Sequence, residues 1–441
     1  MIRYQNTFWR ALVVAAFTVM SATAVAADEV SSPPGPVDWL RSIGIAPRIV
    51  IDNDYASSIS GGLSRGQTNA GGVVAGAELD MDKLVGIHGG TMHISFARYY
   101  GHSISATDIG NSVKVQGYSF PQRQWQLAQL TWEQKFADQH LTVLFGRVNT
   151  TWQFARSTYG CRFDGAPDCP YTLPQSDGGF IGFPYVNWGT KITYQPGREY
   201  VALGAFEINP NRRLNHGLGW STKESTGVVM PLETGYETSF KTDPYPRHYR
   251  AGIWWNNADY ADPRLNTSGL PRIPLGGQPR MYDGGRFGAY LLGDQVVYRP
   301  DPDSTERNLA VFASVSAPMD SAEVYTMQAN AGFFWSGPFA SRPGDSFGFM
   351  ANYFRFTTKE TGLMDDIIRK NHGQPGMSRD STMMEINYGI RVKSYLTLVP
   401  NVQYLVHPDI LGRTTAAKFV PGNAVVLGLR LMLNLGGVGS N

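Results

Sequence analysis

The residues most able to do chemistry in this chain do not assemble into a catalytic pattern. Eight histidines and two cysteines occur. His88 and His93 are five apart, which puts them on opposite faces of an extended strand and suits neither a zinc pair nor a general base with its orienting partner. His216, His248, His372 and His407 stand apart from one another, as structural or solvated histidines do. No Ser–His–acid signature, no G-x-x-x-x-G-K-[ST] phosphate loop and no paired Cys/His ligands appear, so the expectation is no enzyme, no metal and no cofactor. The glycine-rich stretch GGLSRGQTNAGG reads as a strand connection. Cys161 and Cys169 bracket CRFDGAPDC, where Gly165 and Pro167 favour a tight return of the chain. In an exported protein a disulfide closing this loop is expected, with two free thiols as the alternative.

A second set of polar residues has a pattern. Lys191, Glu207, Arg250, Glu385, Asn387, Arg391, Gln403 and Arg430 are each flanked mostly by apolar neighbours. In a strand, alternate residues point to opposite faces, so these eight would share a polar face while their neighbours claim an apolar one. Guanidinium, amide and carboxylate groups in such rows supply hydrogen-bond donors and acceptors rather than catalysis.

The elements carrying them alternate with a period of two. Val425, Leu427, Leu429, Leu431, Leu433 and Leu435 alternate with Val426, Gly428, Arg430, Met432 and Asn434. Leu396, Leu398, Val402, Tyr404 and Val406 face away from Thr397, Asn401 and Gln403, with Pro400 suggesting a bulge or strand edge. The same design runs through 384–392, 327–335, 249–256 and 187–194. Tyr99–Tyr100, Trp254–Trp255, Phe333–Trp335 and Tyr353–Phe356 sit where alternating segments meet turns, as interfacial aromatic girdles do. Short turns such as Gln195–Gly197 contrast with long loops at Ser221–Pro231 and Asp262–Gly277. A secreted sandwich also alternates, but so many apolar faces would be hard to cover without lipid. The fold class is all-β: a transmembrane antiparallel β-barrel of about sixteen strands, roughly 26 residues per strand and connection. Residues 31–41 read as a short helical arm before the first strand.

Composition agrees. Charged residues make up 17% of the chain and 49 residues are glycine. The formal charge of +2, from 38 basic and 36 acidic residues, leaves no footprint for nucleic acid. Arg3 and Arg10 precede an apolar run from Ala11 to Met20, and Ala24-Val25-Ala26 offers a small-residue cleavage site. Residues 1–26 are therefore expected to be a signal peptide and 27–441 a single outer-membrane barrel domain. No apolar run of the ~20 residues that a spanning helix needs follows.

Several stretches resemble the carbohydrate-selective outer-membrane porins of the OprB type. They are AELDMDKLVGIHGGTMHISF (77–96), LTWEQKF (130–136), LFGRVN (144–149), YGCRFDGAPDC (159–169) and EINPN (207–211). YRAGIWW (249–255), VVYRPDPD (296–303), GFFWSGPFASRPGDSFGF (332–349) and VPNVQYLVHP (399–408) follow in the family's order. Unlike the usual ending on an aromatic residue, this chain runs on into GGVGSN. The resemblance implies passive entry of small sugars, monosaccharides such as glucose, through a lumen narrowed by inward-folded loops. It implies partners limited to sugars, outer-membrane lipid and lipopolysaccharide, and the assembly machinery. General diffusion without sugar selectivity is the alternative. The eight alternating polar residues are then pore-lining candidates. Arg65, Arg123, Arg156 and Arg162 are loop candidates for the constriction, and Trp152, Tyr159 and Trp220 are candidates for stacking on a sugar ring.

Overall fold

The computed structural model describes residues 36–436 apart from 118, 121–122, 166–171, 214–215, 321–323 and 414–416. The expected leader at 1–26, Cys169 and the chain from 437 onward lie outside the described residues. A helix, Pro36–Ser42, falls where the helical arm was expected, although 31–35 are not described.

Strands follow in the order β1 (Ile45–Gly62), β2 (Gly66–Asp80), β3 (Gly90–Gly101), β4 (Gln126–Phe136), β5 (Leu141–Val148) and β6 (Asn187–Tyr194). Next come β7 (Glu199–Ile208), β8 (Gly227–Glu237), β9 (Arg247–Asn256), β10 (Tyr260–Asn266), β11 (Pro279–Tyr282) and β12 (Arg286–Tyr298). The last six are β13 (Asn308–Pro318), β14 (Tyr325–Ser336), β15 (Ser346–Phe356), β16 (Asp380–Lys393), β17 (Leu396–Val406) and β18 (Gly422–Leu435). Sixteen of them close into one antiparallel barrel, each pairing with its neighbours in the chain, while β10 and β11 form a separate hairpin between β9 and β12. The seam joins β1 to β18, from Ile49 opposite Leu435 to Gly62 opposite Gly422. Closure leaves no edge with unpaired backbone groups, the condition for crossing hydrocarbon with strands. None of the described helices is long and apolar enough to cross a membrane.

Alternation decides what faces where. On β18, Ala424, Val426 and Arg430 are buried, while Leu427, Leu429 and Leu435 are more than 40% exposed on the outer face that lipid covers. The inner face is polar and filled, with Asp52, Asp54, Glu233, Gln328, Asn352, Glu385 and Gln403 all buried. Aromatic rings fit inside because glycines on neighbouring strands leave room. Tyr290 of β12 lies opposite Gly252 of β9, and Trp254 opposite Gly288. A Cβ at either glycine would enter the facing ring.

Three expectations need correction. Pro400 introduces no bulge: Asn387 opposite Asn401 and Ile390 opposite Leu398 keep one register, and the β16–β17 ladder skips the pairs between them. Proline lacks the N–H to make that rung and faces outward, so the sheet loses pairing without slipping. Residues 227–231 of the expected loop belong to β8, and 262–277 carry β10 and a short helix, Arg272–Leu275. The aromatic girdle is also only half external. Tyr100 and Trp255 are exposed, but Tyr99, Trp254, Phe334, Phe354 and Phe356 are buried, because adjacent residues of a strand cannot share a face.

Connections at one end are short, as at 137–140, 195–198 and 394–395. At the other end they are mostly long: 102–125, 149–186, 209–226, 257–285, 357–379 and 407–421. An even strand count puts the start of β1 and the end of β18 at the short-turn end. Leu429→Arg, a charge on the outer face of β18, is expected to lower stability by ~2–4 kcal/mol. Unfolding in lipid vesicles followed by tryptophan fluorescence measures it.

Candidate functional site

The inner wall is polar because its residues alternate with lipid-facing ones, and the described residues of the 149–186 connection fold into the space it encloses. Leaving β5, this loop descends beside β6 to β9. The Lys191 ammonium donates to the Gln153 carbonyl at 2.8 Å, and Phe154 packs edge-on against Phe206. The Ala155 N–H donates to Glu233 Oε2 at 3.0 Å, and Glu233 also accepts from the hydroxyls of Tyr200 and Tyr290. Arg250, paired with Glu237, donates to the Arg156 carbonyl. Tyr159 then stacks on Phe312 with ring centres 5.9 Å apart and lies 5.6 Å from Phe334.

Across the lumen the loop docks on β16 to β18. Glu385 accepts from the backbone N–H groups of Asp164 and Gly165 at 2.9 and 2.8 Å. Asn387 donates to the Arg162 carbonyl at 3.1 Å, and Asn401 donates to Asp164. Arg430 is the hub. Its Nε and Nη2 donate to Asp52 at 2.8 and 2.7 Å, its Nη1 reaches the Phe163 carbonyl at 3.3 Å, and Asp164 Oδ1 lies 3.4 Å from its Nε. Returning upward, the Leu173 N–H donates to Gln328, and Asp177 accepts from Val324 and Tyr325.

A second loop, 102–125, wedges against the first. Gln116 donates to the Asp54 carbonyl and accepts from Thr68, and the Gly117 N–H donates to the Asp164 carbonyl at 2.9 Å. The Val115 carbonyl accepts from Gln403 at 2.8 Å. Burial pulls the Lys114 ammonium down to about 8, where it lies 4.8 Å above the Phe120 ring.

What remains wet inside the wall is arginine-rich. The Arg156 and Arg162 side chains stay exposed, one 5.4 Å over Trp152 and the other 5.8 Å over Phe334. Desolvation inside the enclosing wall, together with the Arg250 and Arg48 charges, holds Arg156 below the usual guanidinium value. The same desolvation acts on Arg162, which lies near the charges of Arg430 and Arg391. Arg48 and Arg391 are exposed at inward positions of β1 and β16.

A model of the carbohydrate-selective porin, OprB family, matches residues 64–435. The chain belongs to this family. Porin B of Pseudomonas aeruginosa is 24% identical over 398 residues, covering 86% of this chain and 85% of that protein. The putative porin QuiX of Acinetobacter baylyi is 26% identical over 413 residues, covering 87% and 88%. The high-pH structure of Pseudomonas putida OprB superposes with a TM-score of 0.80 at 22% identity, covering 90% of this chain and 96% of that one.

Within this carbohydrate-selective porin, seven of the eight alternating candidates lie on the inner face: Lys191, Arg250, Glu385, Asn387, Arg391, Gln403 and Arg430. Glu207 does not. It shares parity with the exposed Val201 and Leu203, and at the rim it accepts from the Trp188 N–H, Asn209 and Ser225. Its apolar flanks Phe206 and Ile208 face inward, where the inward loop packs Phe154 against Phe206, so apolar flanks did not mark the lipid face here. Among the loop candidates, Arg156 and Arg162 lie on the inward-folded loop. Arg65 sits exposed on the three-residue turn 63–65, too short to enter the lumen. Arg123 is exposed too, its carbonyl accepting from Arg98 Nε at 3.1 Å. Cys161 is disulfide-bonded, and its carbonyl faces Arg430; the chain's other cysteine, Cys169, is not among the described residues. Trp220 lies 5.6 Å from Trp188, with Arg147 over both rings. Asp52, Asp54, Asp164 and Glu233 also belong to this inner network but were not among the candidates, while Asn401, placed on the polar face by alternation, joins it through Asp164. His93, on β3, has its ring nitrogens 3.9 Å from Glu78 and Glu133. No group of three or more His, Cys, Asp or Glu among the described residues could hold a metal ion.

Replacing Arg430 with Met strands the Asp52 carboxylate and frees one side of the loop. Stability is expected to fall by ~3–5 kcal/mol, with a larger single-channel conductance in planar bilayers. Nearer the long-loop end, burial pushes Asp177 and Asp409 up to about 6 from an ordinary value near 4. A carboxyl that binds its proton more tightly when folded contributes fully below its unfolded value, and that contribution is lost as pH rises through about 6. Asp177 accepts from Tyr325, and Asp409 from Ser112 and Leu411. Amide exchange at Ser112, Tyr325 and Leu411, corrected for intrinsic rates, is expected to be slower at about pH 4 than at about pH 7.

Proposed function

We propose that small neutral sugars, monosaccharides such as glucose, diffuse through this porin along the wetted passage beside residues 153–164. The supporting observation is a set of exposed guanidinium groups, Arg48, Arg156, Arg162 and Arg391, inside a wall whose other polar groups are mostly buried and paired. A sugar leaving bulk water must replace its hydration shell, and its hydroxyl oxygens accept from guanidinium donors strongly enough to enter and weakly enough to leave. The stacked ring of Tyr159 and the half-open Trp152 offer apolar faces beside them. The lumen side chains serve as hydrogen-bonding surface and perform no chemistry.

In this reading residues 1–26 are removed on export, and residues 27–441 form one barrel inserted by the outer-membrane assembly machinery. The outer leucine rows then meet lipid and lipopolysaccharide.

The test is uptake of radiolabelled glucose, ribose and an uncharged amino acid into liposomes carrying the refolded protein. Sugar entry is expected to be faster and to saturate, while equal, unsaturable rates would reduce the protein to a general diffusion pore. Arg162→Ala is expected to raise the half-saturation concentration about tenfold, the worth of one hydrogen bond to a charged group.

A further inference from the structure

The side chains around Arg430 do not balance. Asp52, Asp54, Asp164 and Glu385 are all buried, and the pairing cation among them is Arg430. Asp52 takes the bidentate contact. Glu385 is filled by two backbone N–H groups and Asn387. Asp164 has Arg430 on one oxygen and Asn401 on the other, yet its Oδ1 has no hydrogen-bond donor. Asp54 is 1% exposed and neither of its oxygens has a hydrogen-bond partner. Among the charges acting on Asp54, that of Asp164 is the strongest. Two carboxyls, one on β1 and one on the inward loop, therefore each carry an unfilled buried oxygen in the same cluster.

An ionised, unpartnered carboxylate at such a position is far more costly than a neutral one. Two carboxyl groups sharing a site do not both ionise readily, and one proton between them would supply the missing donor to both. The proton belongs on Asp54, because Arg430 and Asn401 already stabilise the charged form of Asp164.

We propose that Asp54 holds a proton and donates it to Asp164 Oδ1, making Asp54 a positioning residue that latches the inward loop to β1. Loss of that proton at high pH releases the loop and widens the pore. Facing this pair are Asp52 from the same strand, Arg430 from β18 and Glu385 from β16. Arg162 of the loop and Arg391 of β16 lie near the cluster's edge, while β17 and the 102–125 loop present the uncharged Asn401, Gln403 and Gln116.

Infrared spectroscopy of the full-length protein in detergent tests the proton, and bilayer conductance from about pH 5 to about pH 10 tests the latch. The wild type is expected to show a protonated-carboxyl C=O band that shifts in D2O and is lost in Asp54→Asn. Its conductance is expected to rise at high pH. Asp54→Asn, whose amide donates to Asp164 at every pH, loses that rise. Asp54→Leu, of similar size without a donor, conducts at the high-pH level throughout. A wild-type spectrum without the band, a flat wild-type conductance profile, or an Asp54→Asn profile that tracks the wild type overturns the proposal. Neither readout involves sugar, so its failure and the failure of the sugar reading are separable.

Discussion

Backbone pairing in hydrocarbon is the constraint on which everything else rests. A strand crossing lipid finds no water for its N–H and C=O groups, so all sixteen barrel strands must be paired on both sides, including β1 with β18. That requirement turns the ordinary logic of burial inside out. Leucines that would form a core in a soluble protein point outward, and charged and amide side chains fill the middle. The interior must then satisfy its own polar groups, which it does by bringing in chain.

The described residues of the 149–186 connection are that chain, and they fill the lumen from one side of the wall to the other. Their carbonyls and N–H groups meet Lys191, Glu233, Arg250, Glu385, Asn387 and Arg430, so one loop engages strands almost all the way around. Its aromatic residues, Phe154, Tyr159 and Phe163, occupy apolar pockets between those polar contacts. The guanidinium groups of Arg156 and Arg162, not consumed in anchoring, stay exposed beside them. Arginine at 430 is buried and paired, whereas arginine at 156 and 162 is exposed inside the wall.

The barrel was legible because alternation is a local signal. Five of the six alternating segments hold the seven candidates that face inward, and Glu207 lies outside all six. The failures are local too. Glu207 sits at a strand end, where polar neighbours from a loop can satisfy it on the outer side and parity alone decides its direction. Pro400 was read through its missing N–H, yet the strands around it are pinned by register on both sides. Asp52 and Asp54 share a parity opposite Ile49, Ile51 and Tyr55, but the runs Ile49–Ile51 and Asp52–Asp54 break the alternation and hide the strand. Their meeting with Asp164 and Arg430 had no readable signal. It joins residues near opposite ends of the chain through a loop, and no period in a sequence reports that.

The Arg430 contacts also bear on the order of assembly. The loop carbonyl it holds at Phe163 lies 267 residues earlier, and the Glu385 contact to Asp164 spans 221. Contacts of such separation form late, because the intervening chain must first be ordered. The last strand to emerge is therefore both the one that seals the wall and the one that fixes the gate. Until β18 finds β1, the protein has neither a closed boundary nor a defined aperture, and a single closing event supplies both.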